Sequence, residues 1–198
     1  MKNTKLLKCG IVSGITIIIL GFLLHFTFGW SNNNVLVGTF SAINESVWEH
    51  LKILFFPSLI TIIIGALYFK DTIPNYLCIK TKGLLLALLF IVIFYYTYSG
   101  ILGKHIALVD ISSFIIAVIL AEYYTYKKVI DGDNCNNKKA VAIIFILCIL
   151  FVLFTFLPPH LGIFKDPSTQ SFGIKKIYLQ VYFLFKYWRY FNIYFIKF

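Results

Sequence analysis

Apolar residues form five long runs along the chain, and short polar segments separate each run from the next. The runs cover about residues 6–30, 51–69, 83–102, 106–126 and 140–157. Because a helix rises 1.5 Å per residue, about 20 apolar residues are needed to cross a hydrocarbon layer of roughly 30 Å. The pattern therefore predicts an all-α fold, a polytopic transmembrane helix bundle with five principal spans.

The two ends of the chain have distinct sequence features. Three lysines lie within the first eight residues, around the start of the first run, and no A-x-A-like cleavage site follows the run, so we expect an uncleaved first span rather than a signal peptide. Residues 175–198 contain no Gly, Pro, Ala, Asp or Glu and are dominated by Phe, Tyr, Ile and Lys. We expect an aromatic-rich C-terminal helix there, interfacial or a sixth span, attached as a tail to an integral membrane bundle of residues 1–174.

Composition narrows the class of protein further. Hydrophobic residues make up 60% of the chain and the mean hydropathy is +0.85, which excludes a water-soluble domain. A net charge of +10 would also suit a nucleic-acid binder, but the lysines are grouped between the apolar runs, as membrane topology requires. The lipid bilayer is therefore the expected partner, and nucleic acid is not.

The distribution of lysine predicts which way the protein faces. Cytoplasmic loops collect Lys and Arg, and an N-terminus inside the cell puts ten lysines on the cytoplasmic side against three outside, up to residue 166. We expect a multi-pass protein of the cytoplasmic membrane with a cytoplasmic N-terminus. Cys9, Cys78 and Cys135 then lie at or near the reducing side, so no disulfide is expected. Glu122, at the inner end of the fourth span, is expected to reach the interface or pair with Lys127.

The segment Asn44–Lys52 joins the first two spans and carries more polar chemistry than any other stretch. At 100° per residue, a helix here places Glu45, Glu49 and His50 on one polar arc together with Lys52. Asn44 is expected to be the N-cap of this helix. The structural interpretation of the arc is an exposed ladder of ion pairs, and the functional interpretation is part of a site.

The predicted topology brings all four histidines of the chain to the outer surface: His25, His50, His105 and His160. The acidic residues Glu45, Glu49 and Asp110 come to the same side. Asp110 lies inside an apolar span, where an uncompensated carboxylate is costly and often marks a functional site. We therefore expect Asp110 and at least two of His50, His105 and His160 to surround one cavity, with Glu45 or Glu49 at its rim.

Three hypotheses for function follow from this arrangement. In the first, His50, His105 and His160 bind Zn²⁺, and Glu45, Glu49 and Asp110 supply catalytic carboxylates, so that the protein is a metal-dependent hydrolase of a lipid or small molecule at the outer face. In the second, the same groups only cap and connect helices in a non-catalytic scaffold or regulatory subunit. In the third, Asp110 binds an ion in a small transporter. The sequence does not choose among them or give an oligomeric state.

Two motifs carry a resemblance to a known family. They are Asn44-Glu45-Ser46-x-Trp48-Glu49-His50-x-Lys52 after the first span and Pro158-Pro159-His160-x-x-x-Phe164-x-Asp166-Pro167 after the fifth. With them, the chain resembles an uncharacterised family of small bacterial polytopic membrane proteins over roughly residues 5–174. The resemblance implies a helical membrane protein and brings no reaction, substrate or ligand with it.

A labelling experiment tests the predicted orientation. A single cysteine at position 160, with the four native cysteines replaced, should react with a membrane-impermeant maleimide in intact cells, because the lysine distribution puts this segment outside. A cysteine at position 132, in the opposite loop, should react only after permeabilisation. The reverse pattern would show that the orientation is inverted.

Overall fold

The structure is a computed structural model that describes residues 2–174, so the predicted tail helix at 175–198 lies outside the described residues. The elements are α1 (Lys2–Trp30), α2 (Val35–Gly38), α3 (Val47–Tyr68), α4 (Tyr76–Leu102), α5 (Ala107–Ile130), α6 (Asn137–Phe156) and a 3₁₀ turn at Gly162–Phe164. Of these, α1 and α3 to α6 are long and apolar enough to cross a membrane. The predicted all-α bundle with five principal spans is confirmed, and the chain is a multi-pass membrane protein.

Four of the long helices enclose the core. Helix α1 packs against α3 and α5, α4 packs against the same two helices, and α6 lies outside this group against α3 and α4. Apolar side chains such as Phe55, Ile62 and Val118 fill the centre and are almost fully buried. We call one end of the bundle the histidine end (the C-terminus of α1, residues 31–46, the α4–α5 turn and residues 157–174) and the opposite end the lysine end.

Helix α3 begins two residues later than the sequence pattern predicts. Ser46 is the N-cap, and its hydroxyl accepts a hydrogen bond from the Glu49 amide at 3.4 Å, while the Asn44 side chain accepts one from the Ser46 amide at 2.9 Å. The prediction that Asn44 is the N-cap is therefore wrong. Serine followed three residues later by glutamate is a known helix-start pattern. Because Glu45 precedes the helix, it is not part of the helical arc to which the pattern assigned it.

A buried ion pair lies at the start of α3. Lys52 and Glu49 are 2.5 Å apart, and their side chains are 0% and 3% exposed. The Lys52 ammonium also donates to the Gly38 carbonyl at 2.7 Å and to the Thr155 hydroxyl at 2.9 Å. The second Glu49 partner is the Ile43 amide at 3.1 Å. An exposed ladder of ion pairs is therefore a wrong interpretation of this segment, and the pair instead connects α3 to residues 38–43 and to α6.

A second set of hydrogen bonds attaches the loop before α3 to α1. The fully buried Ser41 hydroxyl donates to the Leu24 carbonyl and accepts from the Phe28 amide at 3.0 Å, so it bridges two atoms of the α1 backbone. The Ala42 amide donates to the same Leu24 carbonyl at 3.2 Å, and Thr27 donates to the Ser41 hydroxyl at 2.9 Å. The loop that carries Glu45 is thus fixed against the end of α1.

The approach of α1 to α3 depends on a proline and a glycine. Pro57 lies inside α3 and has no amide hydrogen, so the Ile53 carbonyl one turn earlier has no partner within the helix. Gly21 of α1 packs at this point. A Cβ atom there would lie 2.5 Å from the Phe114 ring and 3.3 Å from the Ile53 carbonyl oxygen. Only glycine fits without displacing these groups, and the close packing closes the space below the histidine end.

The lysine end differs from the predicted loop structure. Helix α4 begins at Tyr76 instead of Gly83, so Lys80 and Lys82 lie inside it. The Lys80 ammonium forms a buried ion pair with Glu122 and donates to the Ser13 hydroxyl at 2.9 Å. The expectation that Glu122 reaches the interface or pairs with Lys127 is therefore wrong, because a buried cation on the neighbouring helix compensates its charge.

The absence of a disulfide is also a wrong prediction. Cys78 and Cys135 are bonded, with their Cα atoms 6.1 Å apart, because the α5–α6 loop folds back onto the start of α4. Asn137 holds this loop by accepting from the Cys78 amide at 3.0 Å and donating to the Pro74 carbonyl at 2.6 Å. The argument from the cellular compartment took no account of this geometry, which brings together two cysteines that are 57 residues apart.

Removing one member of the Glu49–Lys52 pair should strongly destabilise the protein. We expect Lys52→Met to lower the free energy of unfolding by about 3–5 kcal/mol, because Glu49 would remain buried without the cation that compensates its charge. The double variant Glu49→Leu/Lys52→Met should recover most of this loss. Unfolding in mixed detergent micelles measures both values.

The exposed Lys104 provides the matched control, and Lys104→Met should change the same free energy by no more than about 0.5 kcal/mol. Equal effects of Lys52→Met and Lys104→Met would contradict a structural role for the buried pair.

Candidate functional site

A cavity of about 220 Å³ lies at the histidine end, among α1, α3, α4 and α5. Its polar wall consists of residues from four different segments, and its floor is apolar. The polar residues are His25, Glu45, His50, Tyr95, His105, Asp110 and Ser113, and the apolar ones include Gly21, Phe22, Val47, Ile53, Ile91, Ile111 and Phe114. This combination of an apolar pocket with a few convergent polar groups is typical of a ligand site.

Three of the polar residues form a compact group around one carboxylate. The Nε2 atoms of His25 and His50 each lie 3.6 Å from the same oxygen of Glu45. One potential ligand atom from each of the three residues lies within 4.8 Å of the other two. The fold produces this group by placing the end of α1, the loop fixed by Ser41 and the first turn of α3 side by side.

The two imidazoles differ in how they are held. His50 Nδ1 lies 2.9 Å from the Ser46 carbonyl oxygen, which can only accept, so this nitrogen carries a hydrogen. In the neutral ring, Nε2 then presents a lone pair toward Glu45. A ring nitrogen bonded to a backbone carbonyl is the usual way in which proteins orient a metal-binding histidine. His25 Nδ1 is buried and has no hydrogen-bond partner among the described residues.

A second polar group comes from the turn between α4 and α5. The Tyr98 hydroxyl donates to the Asp110 carboxylate and accepts from the Ile106 amide at 3.2 Å. His105 Nδ1 lies 3.6 Å from the other Asp110 oxygen. The Asp110 carboxylate, which would be costly if left alone inside a span, is therefore compensated by a phenol and an imidazole.

Electrostatic interactions connect the two groups. The His25 imidazole holds the pKa of the Glu45 carboxyl below its ordinary value of 4.5. Partial burial opposes this effect, and the charges of His50, His25 and His105 add to it. Glu45 is thus a carboxylate at neutral pH, and it faces imidazoles from α1, α3 and the α4–α5 turn.

The structure brings four of the six sequence-predicted site residues to this cavity and places two elsewhere. Glu45, His50, His105 and Asp110 line the cavity. Within the described residues, Glu49 is instead engaged with Lys52 below the surface, and the His160 ring stacks on Phe172 with centroids 4.8 Å apart. The catalytic and metal-binding roles assigned to these residues stay predictions.

Sequence reasoning left two members of the site out of its list. His25 occupies the position predicted for His160. The sequence feature that could have identified it is its place near the end of the first span, on the same surface as the other histidines. Tyr98 lies in an aromatic stretch of the third span, so nothing local distinguished it from Tyr95 or Tyr96. Asp166 satisfies its own turn by accepting from the Ser168 and Thr169 amides at 2.7 and 3.2 Å.

The fold and the site define a multi-pass helical membrane protein with a polar cavity at one end of its bundle. The chain belongs to a family of unknown function, DUF6512, whose model matches residues 1–174. The expected membership of an uncharacterised family is thereby confirmed. No curated protein and no solved structure matches the chain. What the protein does must therefore be argued from its site.

The lowered pKa of Glu45 predicts a pH-dependent contribution to stability. Because the pKa is lower in the folded protein, this contribution is present above the ordinary carboxyl value of 4.5 and is lost as the pH falls through the folded value. The difference in Tm between the wild type and Glu45→Gln should therefore shrink as the pH is lowered below 4.5. Thermal unfolding in detergent at a series of pH values measures it.

The exposed acid Asp71, at the lysine end, gives the comparison for this experiment. Asp71→Asn should change Tm little at any pH. A Glu45→Gln effect that stays constant down to the most acidic condition would mean that the carboxylate charge is not what holds Glu45 in place.

Proposed function

We propose that this protein is a metal-dependent hydrolase whose zinc site consists of His25, Glu45 and His50 at the histidine end of the bundle. One observation carries the proposal: two imidazole nitrogens from different helices lie 3.6 Å from the same carboxylate oxygen. Two ligand atoms that are each about 2.1 Å from a tetrahedral zinc ion lie about 3.4 Å apart. Both His–Glu separations are close to this edge length.

The number and kind of ligands support a catalytic rather than a structural metal site. Structural zinc sites are usually closed by four protein ligands, whereas catalytic sites keep one position open for water. Two histidines and one glutamate form the set found in several zinc hydrolases. The site also faces a cavity, so that a molecule could reach the open position. A bound zinc ion would polarise a water molecule there.

Asp110 is the general base in this proposal. Its carboxylate lines the same cavity and is held by Tyr98 and His105, so it is positioned independently of the three metal ligands. It would accept a proton from the attacking water and return it to the leaving group. General acid–base catalysis of this kind contributes about 10²- to 10⁴-fold to a rate.

In this proposal the histidine end faces the outside of the cytoplasmic membrane, as the excess of lysine at the other end indicates. The Cys78–Cys135 bond at the lysine end favours the opposite orientation, since disulfides are rare in the cytosol. We give more weight to the lysines, because their bias rests on ten residues against three, whereas the disulfide is a single pair of residues.

Metal analysis and a hydrolysis assay test the proposal together. Purified protein should bind one zinc ion, and His25→Ala and His50→Ala should weaken zinc binding by about tenfold or more, because each removes a ligand. His160→Ala is the matched control and should leave zinc binding unchanged. Asp110→Asn should keep the zinc but lower the rate of 4-nitrophenyl acetate hydrolysis by about 10²-fold or more.

Each alternative has its own outcome. Loss of zinc in His160→Ala but not in His25→Ala would favour the ligands predicted from the sequence, His50, His105 and His160. Zinc that is bound without any hydrolysis dependent on Asp110 would favour a structural metal in a scaffold protein. The absence of zinc binding in the wild type would contradict the proposal altogether.

A further inference from the structure

A membrane-facing groove runs along the contact between α1 and α5, and we call it the seam groove. Its volume is about 340 Å³. Its walls are Leu7, Gly10, Ile11, Gly14, Ile15 and Ile18 of α1 and Val118, Ile119, Glu122, Tyr123 and Tyr126 of α5. Gly10 and Gly14 lie opposite Glu122 and Val118, so the absence of side chains on α1 leaves the groove open.

The seam groove leads toward the polar cavity. The groove ends at Ile18 on α1 and Val118 on α5, and the cavity begins about one turn further along each helix, at Gly21 and Phe114. Two residues that line the cavity on this side are themselves exposed, Phe22 by 38% and Ile111 by 43%. The two spaces share no lining residue, and the Phe114 ring lies between them: it packs on Gly21, and its centroid is 6.2 Å from that of Phe22.

The dimensions match one lipid chain. From Ile111 to Tyr126, α5 rises about 22 Å. The chains of one leaflet occupy about half of the roughly 30 Å hydrocarbon layer. The seam groove and the adjoining cavity together are therefore long enough for a whole acyl chain. The polar cavity itself is smaller than the roughly 300–1,000 Å³ of typical ligand pockets, so it has room for a linking group but not for a whole lipid.

The charges in the cavity select the kind of linking group. Among the described residues that line it, two are carboxylates, Glu45 and Asp110, and none is lysine or arginine. Phosphate groups are recognised by Arg and Lys clusters or by helix N-termini. With two carboxylates and one zinc ion, the site would be close to neutral. An uncharged ester or amide is therefore favoured over an anionic phosphodiester.

We propose that the substrate is a membrane lipid with a neutral ester or amide linkage, and that it reaches the site sideways between α1 and α5 by displacing the Phe114 ring. The acyl chain lies in the seam groove, and the linkage lies beside His25, Glu45 and His50. This inference rests on the proposed hydrolase function for its chemistry, but the path of the chain stands on the two adjoining spaces on either side of Phe114.

For an ester, the reaction consumes one water molecule. The water oxygen forms a bond with the carbonyl carbon, and its proton passes to the Asp110 carboxylate. The bond from the carbonyl carbon to the alcohol oxygen then breaks, and that oxygen takes the proton from Asp110. The products are a carboxylic acid and an alcohol, so no oxidant or other co-reactant is needed.

Two esters with the same leaving group test the path of the chain. The full-length protein is reconstituted in phosphatidylcholine vesicles, and kcat/KM is measured for 4-nitrophenyl acetate and 4-nitrophenyl palmitate, each corrected for zinc alone. The variant Ile111→Trp should lower the palmitate-to-acetate ratio by about tenfold or more, because the indole narrows the passage between α1 and α5 beside Phe114. Leu108→Trp is the matched control, since Leu108 is 74% exposed on the same helix and does not line the cavity.

The control should keep the wild-type ratio. Equal ratios in Ile111→Trp and wild type, or equal losses in both tryptophan variants, overturn sideways access. If Ile111→Trp fails to fold, which loss of monodispersity would reveal, Phe22→Trp narrows the same passage from the α1 side and should lower the ratio in the same way.

A second measurement does not depend on hydrolysis. Phosphatidylcholine carrying a photoactivatable diazirine near the ester end of its chain is added to the vesicles, and labelled residues are mapped by mass spectrometry. Labelling of Ile53 or Ile91, which line the cavity and are only 4% and 6% exposed, supports a chain inside it. Labelling confined to exposed faces overturns the proposed path. Labelled Ile53 in a protein without esterase activity would mean that the hydrolase function fails while the lipid site stands.

Discussion

The arrangement of the histidine end depends on one buried ion pair. Lys52 has no exposed side-chain surface, and its ammonium is satisfied by Glu49, the Gly38 carbonyl and the Thr155 hydroxyl. These partners come from α3, α2 and α6, so the cost of removing the charge from water is offset only when all three segments are in place. The same segments carry or support Glu45 and His50. A network that stabilises the fold thereby also sets the geometry of the site.

The helices were predictable, and the partners of polar residues were not. A span of about 20 apolar residues is a local property, so all five were found from the sequence. Lys80 and Lys82 come just before the apolar run at 83–102, so the pattern began the third span after them. A lysine inside an apolar layer is costly unless a partner compensates it. That partner, Glu122, is 42 residues away on another helix. No local pattern contains that information, and the start of α4 was consequently misplaced.

The candidate site, like the fold, was predictable only in part. The predicted topology placed the histidines and the acids at one end of the bundle. It also identified Asp110 as a carboxylate inside a span whose charge needs a compensating partner. The choice among histidines depended on the rotation of each helix and on where the final loop lies. Stacking on Phe172 takes His160 away from the cavity, whereas Ser41 fixes the loop so that Glu45 meets His25. These are tertiary contacts, and only coordinates reveal them.

The location of the Lys52 network has a consequence for how the protein is made. Glu49, Ile43 and Gly38 all lie within fifteen residues of Lys52, so most of the network is complete once the first two long helices have left the ribosome. The nascent hairpin of α1 and α3 can therefore enter the membrane with its charges already neutralised, without waiting for the rest of the chain. Thr155, the one distant partner, arrives last and lets α6 dock onto a preassembled hairpin.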